Sequence, residues 1–449
     1  MSTRAANVEA DHDALLTAED LDRSVDRMRV VKARSGRRRW LLVWLLLGPG
    51  VLAMLGENDG PSMLSYAASG ADYGIGFFVP FIVVTFAAAA VVQEMAMRLA
   101  AITHRGFGEL IFQRFGRFWG WTAASDLVVT NLVTLISEII AIRVGMAFFG
   151  VPALVAVGCA LGLVLINSLG GRYSRWERVT MGIALFNMIF VPAAILAYPA
   201  LGNIGRALGT WHPLPGGPSQ QVLLIVASDI GATVTPWMLF FQQSASVDKG
   251  MTPGDIGQGR IDTFLGAALA ALAGIGALVV ASPLFYHHVS ASAIQGGTGF
   301  AQALRPIVGT SASTLFSLGL IEAGAVAVLT ISASTAYALG ESIAGGAHSF
   351  NNGWREAPLF HSANLILAAI AGAVVLIPGA PLLDITLNAN LLATVLMPAT
   401  LVFLLVLVND RALMGRHANH RGVNLVAVAI AVLVAVAGSA YAIVTALHP

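Results

Sequence analysis

Glu57 and Asp59 stand two residues apart in the stretch MLGENDGPSML (residues 54–64), flanked by Gly56, Gly60 and Pro61. About ten apolar residues precede them and another apolar stretch follows. A carboxylate at mid-membrane costs about 2.5–3.5 kcal/mol even on the lenient insertion scale, so it needs a cation, a donor or a proton. Gly and Pro at the same place break a helix and free backbone carbonyls and amides, each costly in lipid unless something binds them. Carboxylate plus free carbonyl is the donor set of a hard cation. A second break, GATVTP (residues 231–236), offers the Ala232 carbonyl and the Thr235 hydroxyl.

These residues matter in this way only if the chain lies in a membrane, and its composition places it there. Of 449 residues, 57% are hydrophobic and 11% charged, where a soluble domain carries about 25% charged residues. Mean hydropathy is +0.77, and many apolar runs reach the roughly 20 residues of a spanning helix. Net charge near zero implies no nucleic-acid partner, and nothing implies an oligomer. The single cysteine, Cys159, excludes an intramolecular disulfide framework and cysteine-based metal centres. The polar, acidic start of the chain does not read as a cleavable signal peptide. No nucleophile–base pair or nucleotide loop marks an enzyme, and no cofactor is implied.

The spacing of apolar runs predicts an all-α polytopic protein of about eleven membrane helices, over 40–69, 75–102, 119–148, 151–170, 178–202, 220–245, 262–286, 312–342, 359–377, 382–408 and 423–446. Residues 1–39 form a polar tail ending in a basic cluster (Lys32, Arg34, Arg37, Arg38, Arg39). Residues 40–408 hold ten core helices, and 409–449 hold a loop and the eleventh. Two short amphipathic pieces, GFGELIFQRFGRF and GTGFAQALRPIVG, follow the second and seventh spans. Loops on the tail's side carry twelve basic residues, among them Arg105, Arg172, Lys249, Arg260 and Arg416, against Arg206 and Arg305 opposite. The expected topology has the N-terminus cytoplasmic and the C-terminus outside, in the plasma (inner) membrane. The broken spans are the first and sixth, five apart, so they hold corresponding places in two halves of opposite orientation. Gly–Pro pairs can merely kink membrane helices. Two in register, one carrying carboxylates, point instead to the central site of a transporter built as an inverted repeat.

The stretch LLLGPGVLAMLGENDGPSMLSYAASGADYG resembles the first span of the NRAMP family of divalent-metal transporters, which reads roughly GPG…DPGN…G..YGY. GATVTPW resembles that family's sixth-span motif GATVMPH, and EIIAIRVGMAFFG its third span. The resemblance runs from about residue 40 to 410 and implies a leucine-transporter-type 5+5 inverted repeat and a divalent cation as substrate. It assigns Asp59 as the metal-binding aspartate. Gly60 and Pro61 stand in swapped order for the family's Pro-Gly, and Ser62 stands for its metal-binding asparagine. Ala232 matches the residue whose carbonyl faces the metal, and Thr235 replaces the metal-binding methionine. Trp237 replaces a histidine linked to proton movement, Gln242 falls where a second histidine is often found, and Glu138 matches a third-span glutamate on the proton route. Leu135 replaces the acid one turn before it.

The loss of methionine removes the bias toward soft ions. Glu57, Asp59, hydroxyls and carbonyls suit magnesium or manganese, and branches of the family without the methionine transport magnesium. With Glu57 and Asp59 ionised, one divalent ion is neutralised, so proton coupling is expected to be weak or absent.

Glu94, Asp126, Arg143, Asp229, Glu322 and Asp384 also fall in or near spans. Glu94 lies a turn before Arg98 and reads equally as a salt bridge or as a substrate group. Glu138 and Arg143 diverge on their helix, against a direct pair. Asp126 reads as structural, and Asp229, a few residues before the second break, reads more readily as structural than as facing an outer vestibule. Asn388 and Asn390 lie near the family's metal-facing tenth-span glutamine. All ten histidines fall in tails, loops or span ends. Trp237, unlike most tryptophans here, lies at a break, as a plug or as packing. Two alternatives stay open: a carrier of a small organic cation or amino acid on the same fold, and a non-transporting membrane sensor. Two acids at the first break disfavour an amino-acid carboxylate, and the short tail disfavours a sensor.

Overall fold

Pro61 has no N–H to donate to Glu57, and its ring would strike the Glu57 carbonyl, so a helix cannot run through the first apolar segment. In the computed structural model, which describes residues 48–168, 173–198, 201–213, 219–289, 297–342, 350, 352, 354–380 and 382–447, that segment is two helices. They are α1 (Pro49–Gly56) and α2 (Gly60–Tyr73). Asp59 is extended (φ −73°, ψ 173°) and caps α2, its carboxylate accepting from the Ser62 N–H. The tail with its basic cluster, residues 40–47 of the first span and Arg172 lie outside the described residues, as does the side chain of Asp384.

The second span is α3 (Phe78–Thr103), followed by the amphipathic α4 (Phe107–Phe115) and the long α5 (Arg117–Phe148). Then come α6 (Ala153–Ser168) and a composite fifth span: α7 (Tyr173–Ala184), a 3₁₀ stretch (Leu185–Ile189) and α8 (Phe190–Ala197). This fifth span begins and ends some five residues before the range predicted from sequence. A further helix, α9 (Leu201–Thr210), was not foreseen in the loop beyond it.

The sixth span is again split, into α10 (Gln220–Gly231) and α11 (Pro236–Asp248), with Thr235 extended between them. After α12 (Ile256–Tyr286), α13 (Gly297–Ser342) bends at Gly309, whose φ of 86° separates the amphipathic piece from the eighth span. The chain ends in α14 (Pro358–Val375), α15 (Leu382–Asn409), the short α16 (Arg411–Met414) and α17 (Arg421–Leu447). Among the described residues nine helices are long and apolar enough to cross a membrane, and Ala153–Ile166 is a shorter apolar one. No strand occurs among the described residues.

The four half-helices meet at the centre. α1 packs on α11, and α2 packs on α10, with α5, α12 and α13 around them. One contact fixes the start of α1: the buried Asp262 carboxylate on α12 accepts from the N–H groups of Gly48 (2.9 Å), Gly50 (2.7 Å) and Val51 (3.3 Å). Orphan N–H groups at a helix start and the positive end of its dipole both favour an acid there. Asp262, near the start of its span, was missed among the membrane acids.

Candidate cation site

At each break one half-helix ends in free carbonyls while the next begins with free N–H groups. Side chains tie the two breaks together. Thr235 Oγ1 donates to Glu57 Oε1 at 2.5 Å, and the Tyr66 hydroxyl of α2 donates to the Ala232 carbonyl at 3.1 Å. The first N–H of α2, from Gly60, donates to Glu138 Oε2 on α5 at 2.9 Å. The indole of Trp237 packs on Gly56, where a Cβ would meet its tip at 2.8 Å, and the Trp237 carbonyl accepts from Ser334 at 3.0 Å. Glu57, Ser62, Glu138, Ala232 and Trp237 are wholly buried, and Asp59 and Thr235 nearly so.

These contacts leave oxygens over. Glu57 Oε2, Asp59 Oδ2, Ser62 Oγ and Glu138 Oε1 are buried and have no hydrogen-bond partner. A buried polar atom left unsatisfied costs about 1–3 kcal/mol, more when charged. Three unpartnered carboxylate oxygens, and one hydroxyl that can turn its lone pairs toward a ligand, gather at one helix break and make it a candidate place for a cation. Among the described residues no three or more His, Cys, Asp or Glu side chains are arranged to hold a metal. The oxygens on offer at the break are of mixed kind: carboxylates, the Ser62 and Thr235 hydroxyls and the Ala232 carbonyl.

The other residues singled out from sequence divide clearly. Gln242 is wholly buried on α11 with both amide atoms unpartnered. Asn390 on α15 packs its carbonyl against Gly231, at the end of α10, and its side-chain nitrogen is unpartnered. Asp229 faces no vestibule: it is wholly buried and accepts from Ser65 (2.6 Å) and Ser69 (2.7 Å), pinning α10 to α2. Glu94 bridges Arg98 and Arg260. Arg143 donates to the Val375 carbonyl at 2.8 Å, so it is no partner of Glu138.

Sequence reasoning missed a polar chain leading away from the first break. Asn58 donates to Asn187 Oδ1 and to the Ala270 carbonyl, both at 2.9 Å, and Asn187 donates to Glu322 Oε2 at 2.9 Å. Asn58 stood in view between the two acids. Asn187 carries no local signal except being polar in an apolar span.

A family model described as natural resistance-associated macrophage protein-like matches residues 50–445. The chain belongs to the Nramp family. Relatives within reach of its sequence include the divalent metal cation transporter MntH of Aeromonas hydrophila subsp. hydrophila, 24% identical over 387 residues, covering 84% of this chain and 89% of the relative. MntH of Erwinia tasmaniensis is 25% identical over 303 residues, 65% of this chain and 71% of that one.

Among solved structures, the Eremococcus coleocola manganese transporter, in complex with an aromatic bis-isothiourea compound, superposes with a TM-score of 0.73 at 20% identity, over 89% of this chain and 86% of that one. MhsT in complex with L-phenylalanine superposes at 0.55 with 14% identity, over 87% and 96%. This Nramp chain thus has the leucine-transporter-type fold with broken helices 1 and 6. It departs from GATVMPH at two positions, with Thr235 and Trp237 at the break.

Proposed function

We propose that this Nramp chain is a secondary transporter that carries a divalent metal cation, manganese or magnesium, across the membrane by alternating access. Glu57, Asp59, Ser62, the Ala232 carbonyl and Thr235 form its binding site. Trp237 and Gln242 shape and gate the path, and Glu138 and Asn390 border the site. The observation that carries the reading is the set of unpartnered buried oxygens between the two broken helices. The relatives' names, divalent metal cation transporter and manganese transporter, support the substrate class. The site places no thioether at the sixth break, and hard oxygens accept magnesium and manganese alike. Purified protein in liposomes loaded with separate dyes for magnesium, manganese and calcium tests the reading: entry of none of the three under a potassium diffusion potential overturns it.

Thr235 sets tolerance of hard ions by holding Glu57 in place while offering only oxygen. Thr235→Met replaces that donor by a soft ligand. Cadmium should gain on magnesium by about tenfold in competition uptake, on the order expected for a soft ligand replacing a hard one. Unchanged cadmium competition would show that residue 235 does not face the ion.

Metal entry should not carry a matching proton. Glu57 and Asp59 balance a divalent ion. The third carboxyl, Glu138, receives the Gly60 N–H and faces the positive end of the α2 dipole, which offsets part of its charge. No histidine lies at the break to change charge near neutral pH. A pH-sensitive dye trapped in the same liposomes should stay flat during metal entry. Acidification that tracks the metal and vanishes in Glu138→Gln would show that Glu138 alone sustains coupling.

A further inference from the structure

A second polar cluster lies away from the broken helices, at the end of the bundle that carries the basic loops. Glu94 and Arg98 sit one turn apart near the end of α3, Arg260 near the start of α12, and Arg416 to His420 between α16 and α17. These elements enclose a cleft of about 400 Å³, walled on its apolar side by Val91, Phe264 and Val423.

The charges in the cleft do not cancel. Glu94 accepts from Arg98 Nε (3.1 Å) and Arg260 Nε (2.8 Å). Arg98 directs its remaining nitrogens to the His417 carbonyl, Asn419 Oδ1 and the second Glu94 oxygen, and forms a buried floor. Arg260 and Arg416 keep capacity: beyond Arg260 Nε on Glu94 and Arg416 Nε on the His417 ring, their terminal nitrogens have no protein partner among the described residues. Three guanidinium groups and one carboxylate thus line the cleft. The apolar wall runs straight into exposed hydrophobic surface, with Ile261 64%, Phe264 49% and Leu425 74% exposed.

Open guanidinium forks recognise phosphate oxygens. An adjoining apolar wall that continues into the bilayer-facing surface suits chains attached to that phosphate. We propose that this cleft binds one anionic phospholipid, its phosphate on Arg260 and Arg416 and its acyl chains along Phe264 and Val423. Free phosphate would use the guanidinium groups but leave the wall bare. Basic pockets between membrane helices are known to take lipid headgroups for this reason.

The test uses the full chain, stripped of lipid in mild detergent, with bound lipid counted by native mass spectrometry. Phosphatidylglycerol and phosphatidylcholine of the same acyl chains are compared, each with and without excess inorganic phosphate. One phosphatidylglycerol should be retained per chain and no phosphatidylcholine, and phosphate should not displace it. Arg416→Gln, on an exposed turn, should lower retention about fivefold, and Arg260→Gln with Arg416→Gln about 25-fold, from the worth of one basic group near an anionic headgroup. Arg421→Gln, a basic residue at the same end that does not line the cleft, should leave retention unchanged. Equal retention of phosphatidylcholine, full displacement by phosphate, an unaffected double variant, or an equal loss in Arg421→Gln would each overturn the proposal.

Discussion

Replacing Asp59 by asparagine should remove cation uptake and leave the protein folded. Asp59 does two things at once. Its Oδ1 caps α2 by accepting from the Ser62 N–H at 2.8 Å, and its Oδ2 is buried without a partner. A helix cap explains the first atom and not the second. Asparagine has the same shape and is as good an N-cap as aspartate, so Asp59→Asn keeps the local fold. What it removes is a formal charge in a site closed to water. Breaking a buried charge pair costs about 3–5 kcal/mol, so metal binding and low-concentration uptake should fall by about two to nearly four orders of magnitude. The check is metal uptake into liposomes beside the melting temperature of the purified variant. Uptake within a few-fold of the parent, with the melting temperature unchanged, would reduce Asp59 to a cap and remove the central claim.

The two breaks were legible in the sequence because Gly and Pro act locally: they deny a helix its backbone bonds wherever it packs. The same locality made Asp59 readable as an acid at a helix break, and Glu94 readable with Arg98 four residues on. What could not be read were lateral neighbours. Arg260, the second partner of Glu94, is 166 residues from it, and Thr235 is 178 residues from Glu57. Which faces of two apolar helices meet depends on their rotation and rise against each other, and an apolar run carries little record of either. Asp262 was overlooked for the related reason that an acid near a span end looks solvated. Here it is buried, because the start of α1 folds back onto it. The partners of Asp229 were hidden for the same reason: its two serines lie on a helix some 160 residues earlier in the chain.

Gly60→Ala should also cut uptake, through geometry alone. A Cβ at Gly60 would lie 2.1 Å from the Ala141 Cβ and 3.2 Å from Glu138 Oε2. The Ala141 methyl is fixed to the α5 backbone and cannot rotate away, so α2 and α5 must move apart. Overpacking of this kind costs about 1–3 kcal/mol, although alanine for glycine in a free helix would help by about 1 kcal/mol. The larger consequence is chemical. Separation breaks the Gly60 N–H bond to Glu138 and shifts the start of α2, which carries Asp59 and Ser62, two of the residues proposed to hold the ion. Uptake should fall at least about tenfold, since a misplacement near 1 Å at a site of this kind costs one to two orders of magnitude, and the melting temperature should drop with it. Gly158→Ala on α6, where no heavy atom lies within 4 Å of the added Cβ, should be neutral or stabilising. Ala141→Gly in the Gly60→Ala background makes room for the new methyl and should restore uptake. If that pair stays inactive while Gly60→Ala alone folds normally, the contact between α2 and α5 does not set the site, and the glycine is needed for the path the half-helix takes when the transporter changes state.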